Sequence, residues 1–494
     1  FNLSFSYLND LPSIHSASID FGLNKEPFHI KIHGDYNESP GYDLTDYSPL
    51  SKTSEEQSYA KLNTTIEYRK DNLKIDYTNR LYRKSVNRYN SIFNATTLDW
   101  DTTLYQQNPR YYDYSNSLSI NYLVNKKLDI DIQFAHELYN KSYYFPYYYS
   151  EYPNPIGEIK QSALPTRLDI LSTTRWSIKN HILYSGFEYV RESYQSFDII
   201  GADGVSIEDE SVFTDESDRK LNEYSFFFTD KFFINQFEFV IGTRLTKYSS
   251  YDWTMIPSAS VRINHKLFNY RINYSRGYRV PSIKELYYDF QSHPPPIYGN
   301  PNLRPSQSRY ISLSIESRKL KNSYIEIYIN NVNDMISYDS YDDGIYYVNG
   351  DQITLYGTNL SLKKELIKPI EIEFLYSYTN GKSDSDYLLE GISNHGLNSK
   401  IIYSIHKNIK IIFKSRFTSS KNVILFGSGD TRVLESHNIS DLIVNSSYKK
   451  LKIKLGLKNI FNYLDESRMD SSSKEYLSSI DPGRRLYMNI GVNF

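Results

Sequence analysis

One segment near the middle of the chain gathers the side chains best suited to hold a ligand. It runs from Gly277 to Ser306, and its QSHPPPIYG stretch contains three consecutive prolines and the only histidine of the segment, His293. The rings of Tyr287, Tyr288 and Tyr298 lie nearby in the sequence and are able to stack on a flat ligand. The segment is too polar and too rich in proline for a core element, which predicts a long exposed loop with a binding role.

Other chemical sites find little support in the sequence. None of the remaining histidines is spaced from another as metal ligands are, and His265 and His406 lie in predicted short turns. The acidic stretches 35–48 and 339–344 lack the spacing of a calcium-binding loop. No G-x-S-x-G or H-E-x-x-H motif is present, and FGSGD (426–430) lacks the context of a phosphate-binding loop. The sequence therefore predicts no enzyme, no catalytic residues and no resident metal or cofactor.

Composition narrows the class of protein. The 56 basic and 58 acidic side chains nearly cancel, which argues against a nucleic-acid partner. Cysteine is absent, so disulfides and thiolate metal sites are excluded. No apolar run approaches the roughly 18 residues of a membrane-spanning helix. The chain nevertheless contains 49 tyrosines and 25 phenylalanines, and this abundance of aromatic residues needs a structural reason.

The elements that must position these side chains alternate with a period of two. LDIDIQFAHEL (128–138), YIEIYIN (324–330) and LKIKLGLKN (451–459) each place apolar residues on one face and mostly polar residues on the other, which indicates β-strands. The same alternation reaches the end of the chain, where we expect one apolar face to contact lipid: Leu486, Met488, Ile490, Val492 and Phe494.

Ten short polar turns separate the predicted strands: Asn24–Pro27, Lys70–Asn72, Asn125–Lys127, Lys179–His181, Asn235–Gln236, Asn264–Lys266, Lys319–Asn322, Ile367–Pro369, His406–Asn408 and Tyr448–Lys450. Their spacing fits two strands and one long loop in each interval, the pattern of outer-membrane barrels. With both termini on the short-turn side, ten short turns and eleven long loops connect 22 strands. The sequence predicts an all-β fold over residues 1–494: a 22-stranded antiparallel transmembrane β-barrel with short periplasmic turns and long extracellular loops. A barrel of this size has a lumen too wide for side chains to fill.

Soluble β-sandwiches and propellers also show alternating strands and are the alternative interpretation. Three features favour the membrane barrel instead. The loops are long at one end and short at the other, the aromatic excess suits two interfacial girdles, and the chain ends on an aromatic residue within a strand. A propeller would also show a blade-length repeat, which the sequence lacks.

Four motifs resemble a known family. YRVPSIKELYY (278–288) followed by GNPNLRPS (299–306) resembles the paired FRAP and NPNL signatures of TonB-dependent outer-membrane receptors, especially haem receptors and their relatives. GLKNIFN (456–462) and PGRRLYMNIGVNF (482–494) are similar to the last two strands of that family. The residues that carry the paired signatures are Tyr278, Arg279, Pro281, Asn300, Pro301, Asn302 and Leu303. The resemblance implies a location in the outer membrane of a Gram-negative bacterium and active uptake of a scarce nutrient.

Receptors of this family also carry a plug domain with an energy-coupling box ahead of the barrel. Nothing in residues 1–494 corresponds to either feature, and FNLSFSYL at the start is similar to a first barrel strand. Because an empty barrel would leave a wide leak in the membrane, the resemblance implies a plug in a separate chain or a missing segment. A TonB-type energy-coupling protein would act through that plug.

The resemblance also implies a cargo. In haem receptors of this family a histidine between the two signatures binds haem iron, and His293 occupies that interval. Haem or another iron complex is therefore the first expected cargo, transported rather than resident, and a corrinoid is the second. Two alternatives stay open: a plugless barrel that acts as a structural scaffold in an outer-membrane complex, and a passive pore.

A second aromatic segment has three interpretations. YYFPYYYSEYPNP (143–155) packs seven aromatic rings into residues 143–152. These rings suit a stacking platform for a flat or sugar-like ligand, self-packing within a long loop, or an interface with a surface lipoprotein.

Overall fold

The computed structural model describes residues 2–10, 14–44, 52–94, 99–104, 108–145, 159–200, 218–291, 295–367, 369–383, 389–424, 431–469 and 480–493. Strands dominate this part of the chain, and its helical segments include the single turn α1 (Ile283–Tyr287) and a 3-10 turn at Glu466–Arg468. The prediction of an all-β fold is confirmed. Within the described ranges, no helix is both long and apolar enough to cross a membrane.

The strands, in chain order, are β1 (Asn2–Asp10), β2 (Ile14–Lys25), β3 (Phe28–Ser39), β4 (Glu56–Lys70), β5 (Leu73–Asn87), β6 (Tyr89–Asn94), β7 (Asp99–Leu104), β8 (Asn108–Asn125), β9 (Leu128–Tyr144), β10 (Ile159–Ile178), β11 (His181–Ser196), β12 (Arg219–Ile234), β13 (Phe237–Tyr248), β14 (Tyr251–Asn264), β15 (Phe268–Arg279), β16 (Asp289–Phe290), β17 (Ile297–Tyr298), β18 (Ser306–Ser317), β19 (Tyr324–Asn333), β20 (Met335–Tyr341), β21 (Gly344–Gly350), β22 (Ile353–Ile367), β23 (Ile370–Ser383), β24 (His395–His406), β25 (Ile409–Thr418), β26 (Lys421–Ile424), β27 (Thr431–Leu434), β28 (His437–Tyr448), β29 (Leu451–Lys458) and β30 (Arg485–Asn493).

One large antiparallel sheet contains 22 of these strands. Each long strand pairs with its neighbours in the sequence, and short strands such as β6–β7 and β26–β27 form separate hairpins within the connections. The first strand also pairs with the last, from Ser4 opposite Asn493 to Asp10 opposite Tyr487. The two outermost strands of the sheet are therefore hydrogen-bonded to each other. Asn2 and Asn493, the first and last described residues, lie at the end of the sheet that carries the short turns.

Each of the ten predicted short turns joins two paired strands. Several of these turns place a residue in the left-handed backbone region, with φ of 50° at Asp71, 53° at Asn235 and 56° at Asn322. Asp and Asn tolerate this conformation better than other non-glycine residues, which explains why polar turns of this composition end the strands sharply.

The two faces of the sheet differ in chemistry. Apolar side chains of one face are exposed, and Ile327 in the middle of β19 retains 53% of its accessible surface. The opposite face carries ion pairs between neighbouring strands, such as Arg80–Asp113 at 2.7 Å and Lys400–Glu373 at 2.9 Å. This arrangement inverts the usual pattern of a soluble protein, in which a sheet buries its apolar face.

The apolar core lies at the end of the sheet that carries the long loops. One buried cluster joins Ile199, Leu221 and Ile283, and a second joins Leu286, Leu303 and Ile336. A small sheet with the order β16-β17-β21-β20 packs beside them. Burial is therefore concentrated where connections fold onto the strand ends.

Candidate functional site

The segment between β15 and β18 is a packed element rather than an exposed loop. Ser282 caps α1, since its Oγ accepts a hydrogen bond from the Glu285 amide at 3.3 Å while its own amide donates to Glu285 Oε2 at 2.8 Å. Ile283 and Leu286 of this turn are buried. The prediction of an exposed loop is wrong here, because a single helical turn is too short for its apolar spacing to stand out in the sequence.

The first signature fixes the start of this segment. Pro281 is fully buried, and the Arg279 guanidinium forms an ion pair with Glu285 of α1. The Tyr278 ring is half-buried and lies 6.3 Å from the Tyr248 ring. These contacts tie the end of β15 to the helical turn that follows it.

The second signature fixes the end of the segment. The Asn300 side-chain amide donates to the Tyr347 carbonyl at 3.1 Å, and Leu303 is only 2% exposed. The exposed Asn302 donates its amide to the Asn300 side chain at 2.9 Å, while Pro301 is also exposed. In this structure, the two signatures hold the β15–β18 connection against the β20–β21 hairpin.

Glycine is required next to this signature. A Cβ atom added to Gly299 would lie 2.4 Å from the Tyr288 amide nitrogen, a distance that real Cβ atoms do not show. The close approach allows the Gly299 amide to donate to the Tyr288 carbonyl at 2.7 Å.

The three predicted stacking tyrosines already have aromatic or cationic partners. The Arg219 guanidinium lies 3.9 Å from the centre of the Tyr287 ring, the Tyr288 ring lies 5.8 Å from a phenylalanine ring, and the Tyr298 ring stacks on Tyr346 at 4.9 Å. Burial raises the pKa of the Tyr288 hydroxyl well above its ordinary value. A flat ligand would have to displace these contacts. His293 lies outside the described residues.

The last strand alternates in exposure from Leu486 to Met488 and not beyond. Leu486 is 55% exposed and Met488 is also exposed, whereas Tyr487 between them is 6% exposed. Ile490 and Val492 are half-buried, and Phe494 lies outside the described residues. Of the aromatic segment 143–155, the described part ends at the buried Phe145.

A group of residues that belongs to no recognised motif lies on the polar face of β4, β5, β8 and β9. Three of these strands repeat the pattern Tyr-x-Lys, in the ranges 59–61, 82–84 and 139–141. Because side chains two residues apart share a face, each tyrosine stands beside its lysine. The repetition on three strands was visible in the sequence, but its importance depends on which strands become neighbours.

Pairing between the strands places these tyrosines and lysines in alternating positions on the polar face. Lys61 lies opposite Tyr82, Lys84 lies opposite both Tyr59 and Tyr111, and Lys141 lies opposite Tyr111. The Tyr59 and Tyr82 rings are 5.9 Å apart, and the Tyr111 and Tyr139 rings are 6.1 Å apart. We call this group the tyrosine–lysine wall: Tyr59, Lys61, Tyr82, Lys84, Tyr111, Tyr139 and Lys141.

The charges of the wall are less neutralised than those around it. Arg80 on β5 reaches Asp113 at 2.7 Å and Glu137 at 2.9 Å. In contrast, neither Lys61 nor Lys84 has a carboxylate within ion-pair distance among the residues that the structure describes. The wall therefore combines aromatic faces with positive charge that is available to an anion.

A cavity of about 310 Å³ adjoins the wall. Tyr139 of the wall lines it together with Arg167, Tyr194, and Ser282 and Lys284 from the α1 turn. The packed segment thus closes over one edge of the wall, and the cavity has the volume of a small-molecule site.

A larger cavity of about 600 Å³ lies on the same polar face nearer the short turns. Lys363 and Lys400 line it and share Glu373 at 2.5 and 2.9 Å. Lys414 and Arg416 also line it, and within the described ranges neither has an ion-pair partner. Tyr324, Phe374 and Leu375 line this cavity as well, so its lining is mixed, and it does not contain the alternation of tyrosine and lysine that marks the wall. No group of three or more potential metal ligands occurs in the part of the chain that the structure describes.

Solved structures with a similar fold are receptors. They include the siderophore receptor PirA from Acinetobacter baumannii (14% identity, TM-score 0.77), which matches 100% of this chain and 80% of that one. PirA from Pseudomonas aeruginosa matches at 12% identity and TM-score 0.74 over 100% and 80% of the two chains. The ferric-catecholate import receptor Fiu from E. coli K12 matches at 11% identity and TM-score 0.74 over 100% and 81%. These identities show the fold alone. None of the curated proteins matches the sequence.

The sheet, with its exposed apolar face and charged opposite face, has the layout of an outer-membrane barrel protein. The family model described as TonB dependent receptor-like, beta-barrel matches residues 15–460. The chain therefore belongs to the TonB-dependent receptor family, whose members lie in the outer membrane of Gram-negative bacteria. This family consists of receptors and transporters rather than enzymes.

Proposed function

We propose that this chain is the barrel of an outer-membrane transporter for an anionic iron complex with aromatic groups. The tyrosine–lysine wall is the observation that carries the proposal. Lys61 and Lys84 supply charge, and the rings of Tyr59, Tyr82 and Tyr111 supply stacking surface beside that charge. An iron complex with several negatively charged aromatic arms meets both requirements at once.

The proposal includes a closed 22-stranded barrel whose polar face lines the lumen. Pairing of β1 with β30 supports closure, and the exposed apolar residues on the opposite face support contact with membrane lipid. The apolar residues Leu486, Met488, Ile490, Val492 and Phe494 then face lipid. The long loops point out of the cell, so that the wall stands near the outer mouth of the lumen.

The proposal also requires a plug, supplied by a separate chain or by a segment outside this sequence. The cavity near the short turns supports this, because Lys414 and Arg416 offer positive charge to a partner inside the lumen. A TonB-type energy-coupling protein would act through the plug. A surface lipoprotein is a further proposed partner at the aromatic segment 143–155.

The choice among iron complexes rests on the wall and on the packed segment. Two receptors with the same fold are named for their ligands, ferric enterobactin and ferric catecholates. The aromatic, anionic arms of these ligands suit the wall. Haem with His293 as its iron ligand stays a second proposal. A corrinoid or a purely structural scaffold would make no use of the charge at Lys61 and Lys84.

A titration distinguishes these cargoes. Quenching of intrinsic fluorescence in the purified protein is measured with ferric enterobactin, haem and a corrinoid in parallel. We expect the ferric catecholate to bind most tightly, and the variant Lys61→Gln with Lys84→Gln to lose about tenfold or more in affinity, since hydrogen bonds to charged groups contribute about 1.5–3 kcal/mol. Lys364→Gln, an exposed lysine on the apolar face of β22 near a short turn, is the matched control and should bind normally.

Each other outcome of the titration has a clear meaning. Haem binding with a shifted absorption spectrum that disappears in His293→Ala would replace the catecholate assignment by haem. Tight corrinoid binding that ignores Lys61 and Lys84 would overturn the role of the wall. Failure of every ligand to bind, with the plug supplied, would favour the scaffold.

Conductance tests the open lumen separately. Inserted alone into planar bilayers, this chain should give large, poorly selective conductance, because side chains do not fill a lumen of this width. Adding a plug should close it. A tight barrel without any plug would contradict the proposed lumen.

A further inference from the structure

The apolar face of the sheet carries a row of polar residues that crosses five neighbouring strands. Consecutive positions of this row lie opposite each other in the register: Arg276 on β15, Arg309 on β18, Asn331 on β19, Thr354 on β22 and Lys382 on β23. Three of the five are cationic, and none is acidic. Arg309 and Lys382 are exposed.

The neighbouring rows show that these cations point away from the lumen. Two residues closer to the short turns, the same strands place Tyr274, Ile311, Ile329 and Tyr356 in one register row. The next row contains Ile272, Leu313 and Ile327, all exposed. The cationic row therefore forms the upper edge of an apolar band, with tyrosines directly beneath it, as side chains at a membrane interface do.

The height of the row fits the surface of the bilayer. Asn331 lies nine residues from the short turn at Asn322, and at about 3.3 Å per residue this is about 30 Å along the strand. A strand tilted by about 45° rises about 21 Å over that length, close to the ≈ 25 Å apolar band of a membrane barrel.

The row contains an electrostatic conflict that a bound anion would relieve. Arg276 and Arg309 are direct cross-strand neighbours, and like charges in this position repel each other. Arg276 donates to the Gln307 side chain and to the Met255 carbonyl at 3.4 Å, which are both uncharged acceptors. Arg309 has neither an ion pair nor a side-chain hydrogen bond among the described residues.

We propose that Arg276, Arg309 and Lys382 bind the phosphate groups of the glycolipid that forms the outer leaflet of the membrane. Arginine recognises phosphate through two parallel N–H donors, and a phosphate between the two guanidinium groups would neutralise their repulsion. Acyl chains of the same lipid would then lie on Tyr274, Ile311 and Ile329 beneath the row. The site is independent of the lumen and of the proposed cargo.

Native mass spectrometry of the detergent-solubilised protein tests this site. The probe is diphosphorylated lipid A, with its dephosphorylated form as the comparison. We expect wild-type protein to retain the phosphorylated lipid preferentially, and Arg309→Gln to lower its affinity about tenfold, as expected for loss of one charge-assisted contact. The triple variant Arg276→Gln, Arg309→Gln and Lys382→Gln should lose the preference altogether.

The controls separate this site from non-specific charge. Lys364→Gln removes an exposed cation of the apolar face at the opposite, short-turn edge and should retain the wild-type preference. Folding of each variant is checked by heat-modifiable gel mobility, and the single Arg309→Gln variant removes no ion pair or side-chain hydrogen bond within the described part of the protein. Equal retention of the two lipids by wild-type protein, or unchanged preference in the folded triple variant, would overturn the proposal.

Discussion

The two faces of the same strands carry different side chains and meet different surroundings. On β24, Ile401 and Tyr403 of the apolar face are exposed, whereas Lys400 of the other face is held by Glu373. In a soluble sheet the apolar face would be covered by protein, and here membrane lipid takes that place. The comparison teaches that exposure has a different meaning on each face: contact with lipid on one, and contact with water or a ligand on the other.

The largest expected effect comes from placing one charge on either face of β24. Ile401→Arg should cost about 2–4 kcal/mol of unfolding free energy, because its side chain meets lipid near the middle of the band. Asn398→Arg on the same strand should cost much less, since Asn398 is exposed to the large cavity. Urea unfolding in lipid vesicles measures both. Equal costs would break the distinction between the faces.

A slightly smaller loss of stability is expected in the packed segment between β15 and β18, and it should not spread to the large sheet. Leu303→Ala should cost about 2–3 kcal/mol, because this side chain is buried among Leu286 and Ile336. The loss should be local, so hydrogen exchange should accelerate in residues 282–303 while β18 and β19 stay protected. Leu313→Ala, on the exposed face of β18, is the control and should leave exchange in the segment unchanged. Uniform acceleration through the sheet would show that the segment and the barrel unfold together.

The smallest effect is a pH dependence at the long-loop end. Burial raises the pKa of the Asp198 carboxyl, an effect that Lys141 and Lys284 partly offset. The folded protein therefore binds this proton at a higher pH than the unfolded chain does, so stability contributed by Asp198 increases as pH falls from neutral through the folded-state pKa. Asp198→Asn should remove this contribution, which unfolding at several pH values measures. The opposite result would be a fall in the stability of the wild-type protein on mild acidification that Asp198→Asn abolishes. It would contradict the predicted sign of the pH dependence.

The repetitive parts of the molecule could be predicted from the sequence, and the irregular parts could not. Strand alternation and polar turns depend on neighbouring residues only, so all-β structure and turns such as Asn235–Gln236 follow from local chemistry. The burial of the 277–306 segment could not be predicted from its own residues. It depends on contacts with Ile336 and Tyr347, which belong to the next connection.

The wall illustrates the same limit at the candidate site. Each Tyr-x-Lys pattern is unremarkable alone, and only the register places Lys84 between Tyr59 and Tyr111. His293 is a candidate ligand only through the family resemblance, and that residue lies outside the described ranges. Local patterns thus predict which face a residue occupies, whereas a binding surface depends on pairing between strands.

The central claim is that the tyrosine–lysine wall binds an anionic iron complex. It is tested most directly by uptake of radioactive iron into cells that depend on the proposed transporter. Iron is supplied as the complex that the titration selects, to cells with wild-type protein, the Lys61→Gln and Lys84→Gln double variant, or the Lys364→Gln control. We predict that the double variant needs about tenfold or more of the complex for half-maximal uptake, while its maximal rate and the control stay close to wild type. Unchanged concentration dependence in a double variant that is present at normal levels in the outer membrane would contradict the account.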